Sequence, residues 1–166
     1  MARTQRFVVM GVSGCGKSLI GARLAESLGL PFFDGDDFHP PENVDKMRRG
    51  IPLNDADRQD WLAALNRLLC QHPGAVLACS SLKPQYRERL RAGNDAVFIY
   101  LKGDFDTIWR RHCQRQGHYF NGRTMLESQF RELVEPSPEE AVHVPVDQPP
   151  EAVLRQVLAA IGAGAG

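Results

Sequence analysis

Residues 11 to 18 read G-V-S-G-C-G-K-S, a complete G-x-x-x-x-G-K-[ST] octet, and few eight-residue stretches restrict a fold so tightly. Gly11, Gly14 and Gly16 free the backbone to turn successive N–H groups inward around a phosphate. Lys17 supplies a point charge for the β- and γ-phosphates, and the Ser18 hydroxyl is a ligand for Mg²⁺. Val12, Ser13 and Cys15 complete the cradle. Such a loop works only between a buried strand and the N-terminus of a helix. The flanks comply: Phe7-Val8-Val9-Met10 is a short apolar run, and Leu19, Ala22, Leu24, Ala25 and Leu28 recur at helical spacing before Gly29. The octet therefore predicts a nucleotide site at the end of the first strand.

Strand and helix signals then alternate without repeat or linker. Strands are expected at Pro31–Asp34, Ala75–Cys79, Ala96–Leu101 and Val142–Val146. Helices are expected at Pro40–Arg49, from the Asn54 cap through Leu69, at Pro84–Arg91, from the Asp104 cap toward Gln116, at Thr124–Leu133 and at Pro149–Ile161. This order predicts a single α/β domain over residues 1–166, a three-layer arrangement with a five-stranded parallel sheet and helices on both faces. Ligands in such sheets sit at the carboxyl ends of the strands, which selects the residues to weigh next.

With 20 basic and 20 acidic residues among 166, no global field draws the chain toward nucleic acid or membrane. No apolar run is long enough to span a bilayer, and the polar first six residues suggest no secretory signal. Cys15, Cys70, Cys79 and Cys113 lack metal-ligand spacing, so a reduced, cytoplasmic setting is expected.

The second strand ends in F-D-G-D-D-F-H-P. Carboxylates beside a phosphate site repel the nucleotide unless a cation lies between, which makes Asp34 and Asp36 candidates for a Mg²⁺ site and for a base. Asp37 reads as a turn residue. Arg58 lies one turn into its helix and can either grip a substrate carboxylate or pair within the helix with Asp55 or Asp57. The third strand runs into Ser80, Ser81 and Lys83, groups suited to a polyhydroxylated or anionic substrate. Arg111 and Arg115 share a helix face, and Gly117 and Gly122 could hinge a mobile lid over roughly residues 111–124. Cys15 faces two readings: a thiolate activated beside Lys17 and a helix N-terminus, or a thiol packed inertly between helix and sheet.

Taken together, the octet, D-G-D-D-F-H-P, P-L-N-D-A-D-R-x-x-W-L, C-S-S-L-K-x-x-Y-R-x-x-L-R, F-I-Y-L-K-G-D-F-D and G-H-Y-F with S-Q-F-x-x-L resemble the small bacterial gluconokinases from about Phe7 to Pro149. The resemblance implies a P-loop, nucleoside-monophosphate-kinase-like fold with a small lid. It implies ATP-dependent phosphorylation of D-gluconate at the 6-hydroxyl, with Mg²⁺, by a homodimer. Residue by residue, it implies Asp34 near the metal and Asp36 at the accepting hydroxyl. Arg58 is placed for the substrate carboxylate, with His39, Ser80 and Lys83 near the sugar acid. Lys17, Arg111 and Arg115 face the triphosphate, and Asp147-Gln148-Pro149 borders the adenine. A kinase for another hydroxy acid such as shikimate, and a non-catalytic nucleotide sensor, are the competing readings. The long acidic runs disfavour the first, and the presence of both Asp34 and Asp36 disfavours the second.

Overall fold

The structure is a computed structural model, and it describes residues 5–12, 14–116 and 120–162, with side chains 112–116 and 120–122 outside the description. Strands β1 (Arg6–Met10), β2 (Phe32–Asp34), β3 (Ala75–Ala78), β4 (Val97–Lys102) and β5 (Ala141–Pro145) form one parallel sheet in the order β2-β3-β1-β4-β5. Helices α1 (Lys17–Leu28), α2 (Pro41–Arg48), α3 (Asp55–Gln71), α4 (Pro84–Arg91), α5 (Phe105–Gln116), α6 (Phe120–Glu132) and α7 (Pro150–Ala160) connect them. The parallel register sets Phe7 of β1 opposite Val76 of β3 and Val97 of β4.

Alternation along the strands divides the interior in two. Phe7 and Val9 point into one core with Ile20 and Leu24 of α1 and Val153 and Val157 of α7. Val8 and Met10 point into the other, against Trp61, Leu62, Leu65 and Leu69 of α3 and Leu90 of α4. Burying each such leucine contributes roughly 1.5–3 kcal/mol over leaving it in water. Strands buried on both faces need continuous apolar runs, which is why β1, β3 and β4 are legible in the sequence.

The helix ends follow local chemistry. Asn54 caps α3 by accepting from the Asp57 N–H at 2.8 Å, while the Asp57 carboxylate accepts from Asn54 N–H at 3.0 Å. Asp104 accepts from the Thr107 N–H at 2.8 Å where α5 begins. A 3₁₀ turn over Gly35–Phe38 follows β2 directly, in keeping with Asp37 as a turn residue. One expectation needs correction. α6 begins at Phe120 instead of Thr124, so Gly122 is a helical residue and no hinge. Gly117 lies outside the described residues. Among the described residues no helix is long and apolar enough to cross a membrane.

Candidate active site

The phosphate loop leaves β1 with Gly11, Gly14 and Gly16 all at positive φ (148°, 83° and 99°). A side chain at Gly11 would also collide with Cys15, because its Cβ would lie 2.7 Å from Cys15 Sγ. Two of the loop's amides have internal acceptors. Gly11 N–H donates to Ser80 O at 3.2 Å, and Cys15 N–H to Val12 O at 3.3 Å. Among the described residues, the donors left for phosphate include those at the start of α1, where the first turn has no acceptors of its own. Val12 and Cys15 are buried in the core, so either can touch phosphate only through its backbone. Ser13 lies outside the described residues. The Lys17 ammonium donates to Val12 O at 3.1 Å, curled over the loop that it would share with an anion.

The acids that follow β2 are placed by the 3₁₀ turn. Asp34 caps it, accepting from the Asp36 N–H at 3.0 Å through Oδ1. Its other oxygen, Oδ2, accepts from Ser18 Oγ at 2.7 Å. Gly35 between the acids is obligatory for packing: a Cβ there would lie 2.8 Å from Ala78 O. The Gly35 carbonyl accepts from Trp61 Nε1 at 2.7 Å, which ties the turn to α3. Asp36 is thereby aimed into a cleft of about 270 Å³ that Lys17, His39, Arg58 and Ser80 also line. Its carboxylate meets solvent there, yet the surrounding protein raises its pKa above the usual aspartate value, chiefly by desolvation. Lys17 opposes that rise, and Asp34 and Asp37 add to it.

His39 stacks on Trp61 with ring centroids 4.1 Å apart and planes 16° from parallel. The buried Asn43 donates its amide both to Asp57 O at 2.7 Å and to His39 Nδ1 at 3.2 Å. Nδ1 is thus the acceptor and Nε2 carries the ring proton, 3.9 Å from Asp36 Oδ1. Burial, and then the Arg58 charge, lower the His39 pKa to about 4, so the ring is neutral at pH 7.

Arg58 does not pair within its helix. Its Nη1 donates to Tyr86 Oη at 2.8 Å, and Nη1 and Nη2 reach the two oxygens of Glu132, at the end of α6, at 3.4 and 3.3 Å. Asp55 instead accepts from Tyr86 Oη and, at 3.1 Å, from Lys83, and these contacts hold its carboxyl below the usual range. Asp57 pairs with Lys46 at 2.8 Å. Lys83 is therefore committed to Asp55 and does not line the cleft, where the sequence placed it with the substrate.

A second, smaller cavity lies on the other side of the phosphate loop. Gly14, Cys15, Gly16, Arg111, Gln148 and Pro150 line it, and Arg111 Nη2 donates to Gln148 O at 3.3 Å. The structure thus brings Arg111 and Gln148 to the loop, as expected for a nucleotide pocket. The Arg115, His112 and Cys113 side chains, with His118, fall outside the described residues. Sequence reasoning missed Trp61, Asn43, Tyr86 and Glu132 as parts of the site. Tyr86 and Trp61 stood within recognisable motifs, whereas nothing local to Glu132 signals its partner.

The family model described as shikimate kinase matches residues 13–161. The thermoresistant gluconokinase of Escherichia coli K12 is 44% identical over 165 residues, covering 95% of this chain and 94% of that protein. The chain belongs to the shikimate kinase-like family and groups within it among the gluconokinases. The crystal structure of a gluconokinase from Sinorhizobium meliloti 1021 superposes with a TM-score of 0.91 at 41% identity, covering 99% of this chain and 95% of that one. A shikimate kinase from Aquifex aeolicus shares the fold at a TM-score of 0.61, with 20% identity over 96% of this chain and 98% of the other. That last likeness is of architecture alone. This gluconokinase-family chain sets two cavities beside one phosphate loop.

Proposed function

We propose that the chain transfers the γ-phosphoryl group of ATP to the 6-hydroxyl of D-gluconate, giving 6-phospho-D-gluconate and ADP. The observation that carries this reading is the position of Lys17. It lies on the loop between the two cavities and lines the same cleft as Asp36, so donor phosphate and acceptor hydroxyl meet there. Asp36 accepts the hydroxyl proton as the oxygen bonds to the γ-phosphorus, and the bond from phosphorus to the β,γ-bridging oxygen breaks. Its raised pKa suits it to that proton, and Asp36 returns the proton to solvent once product leaves. The His39 Nε2–H orients the acceptor or the base, and Ser80 offers a further hydroxyl contact. Lys17 and Arg111, with Arg115, balance the charge on the phosphates.

Ser18 Oγ and Asp34 Oδ2, side by side at 2.7 Å, form an oxygen pair that fits Mg²⁺. Mg²⁺ bound there with ATP would neutralise phosphate charge. Arg58 is the group for the sugar-acid carboxylate. Lys83, bound to Asp55, supports Tyr86 and through it Arg58. The proposed assembly is a homodimer, which light scattering on purified protein tests; a single-chain mass would remove it.

The deciding experiment is an ATP-consumption assay across a panel of sugar acids and hydroxy acids. Gluconate should be the preferred acceptor, and glucose, which lacks the carboxylate, should be poor. Preferential use of shikimate would overturn the substrate. ATP binding with no turnover on any acceptor would favour the sensor reading.

A further inference from the structure

The described charges lining the acceptor cleft cancel: Lys17 and Arg58 stand against Asp36 and Glu132. An anionic substrate entering this cleft brings a third negative group to two cations, one of which is already engaged. That one is Arg58. Glu132 meets it with both carboxylate oxygens opposite both terminal guanidinium nitrogens, the fork-to-fork approach by which arginine recognises a carboxylate. The distances, 3.3 and 3.4 Å, are longer than the 2.7–2.9 Å usual for such charge-assisted bonds. The Tyr86 hydroxyl holds the guanidinium independently at 2.8 Å, so Arg58 keeps its aim if Glu132 leaves.

Glu132 is the last residue of α6, where the helix dipole disfavours a negative charge. Its partnership with Arg58 offsets that, but loosely, and its side chain retains access to solvent into which it can swing. We infer that Glu132 is an internal stand-in for the substrate carboxylate: it occupies the carboxylate locus on Arg58 in the empty cleft, and the incoming sugar acid displaces it. Glu132 is thereby a specificity-determining residue. It sets the affinity for acidic acceptors by competition and ties occupation of that locus to the end of α6. A neutral polyol has no group with which to displace it.

This inference rests on the sugar-acid reading of the cleft, and its test separates the two. Wild-type turnover of gluconate is measured first; its absence refutes the substrate assignment and this inference with it. With turnover present, Glu132→Gln keeps the side chain's size and one acceptor for Arg58 while removing the competing charge. The KM for gluconate should fall roughly three- to tenfold, the range expected for weakening a partly exposed ion pair. The KM for ATP and the KM for a neutral polyol acceptor should each move less than about twofold on the same scale. Glu132→Ala, measured for gluconate binding by calorimetry, should tighten binding in the same direction and guards against an effect peculiar to glutamine. A gluconate KM that is unchanged or raised in a folded Glu132→Gln protein would overturn the inference. An equal gain for the neutral acceptor would do the same, because the effect would then not be carboxylate exchange.

Discussion

Ser18 Oγ donates to Asp34 Oδ2 at 2.7 Å, joining the last residue of the phosphate loop to the last residue of β2. Through its other oxygen Asp34 caps the turn that carries Asp36. One carboxylate thus links the phosphate loop to the turn that aims Asp36 into the cleft.

That double duty can be separated. Asparagine is as good a cap as aspartate but a poorer partner for a hard cation. Asp34→Asn should therefore fold with little change in Tm yet need several times more Mg²⁺ for half-maximal rate. A drop in Tm of many degrees with an unchanged Mg²⁺ requirement would confine Asp34 to the capping role.

Asp36→Asn should lower kcat by about a hundredfold or more, within the usual 10²–10⁴ contribution of a general base. The Kd for ATP should stay within about twofold, a change too small to represent a lost charge contact. The raised pKa also sets the acid limb of the pH–rate profile. The base form is lost as pH falls through that pKa, so kcat/KM should begin to fall at a higher pH than an ordinary aspartate would dictate. A collapse of ATP binding in the variant would move Asp36 to the nucleotide side.

His39 makes a prediction about stability. Its pKa is about 4 in the folded chain against the 6.5 of an ordinary imidazole. Between those values the unfolded chain takes up a proton that the folded chain refuses, so stability is lost as pH falls from about 6.5 toward 4. His39→Gln cannot titrate, and its Tm should vary less than wild type between pH 7 and pH 5. Identical slopes for the two proteins would show that the stacked ring is not the group responsible.

Cys15 was open between a reactive thiol and a packed one, and its burial beside Gly11 favours the packed form. Thiol labelling of the native protein should modify the exposed Cys70 before Cys15 or Cys79. Mg-ATP should leave the Cys15 labelling rate unchanged. Rapid Cys15 labelling that nucleotide suppresses would restore the activated thiolate.

How far the sequence led depended on the range of the interaction. Buried strands, the Asn54 and Asp104 caps and the phosphate loop are local devices, and their residues are adjacent in the chain. The turn at D-G-D-D was legible, but the close approach of Gly35 to β3 that packs it was not. Arg58 shows the limit best. Local spacing offered Asp55 and Asp57 as partners, but Lys83 with Tyr86 and Lys46 claim those acids. Its charged partner, Glu132, is 74 residues away on α6, a meeting that no local pattern encodes. Arg87 is similar: it is buried and bonds Ser81 O at 2.9 Å and Glu140 at 3.1 Å, holding the loop in which Ser81 adopts φ 51°.

The bond from Gly11 N–H to Ser80 O has a mechanical consequence. It clamps the loop after β1 to the loop after β3, so donor and acceptor sides share one rigid anvil rooted in the sheet. Neither loop can retreat to admit a substrate without tearing a backbone bond at the carboxyl end of the sheet's central strands. Opening the cleft without that cost falls to its other walls, Met47, Pro52 and Leu53 ahead of α3 and Met125, Ser128, Gln129 and Glu132 of α6. Amide exchange at Gly11 should accordingly be as slow in the free enzyme as in the substrate-bound one, while exchange at the other walls should respond to substrate.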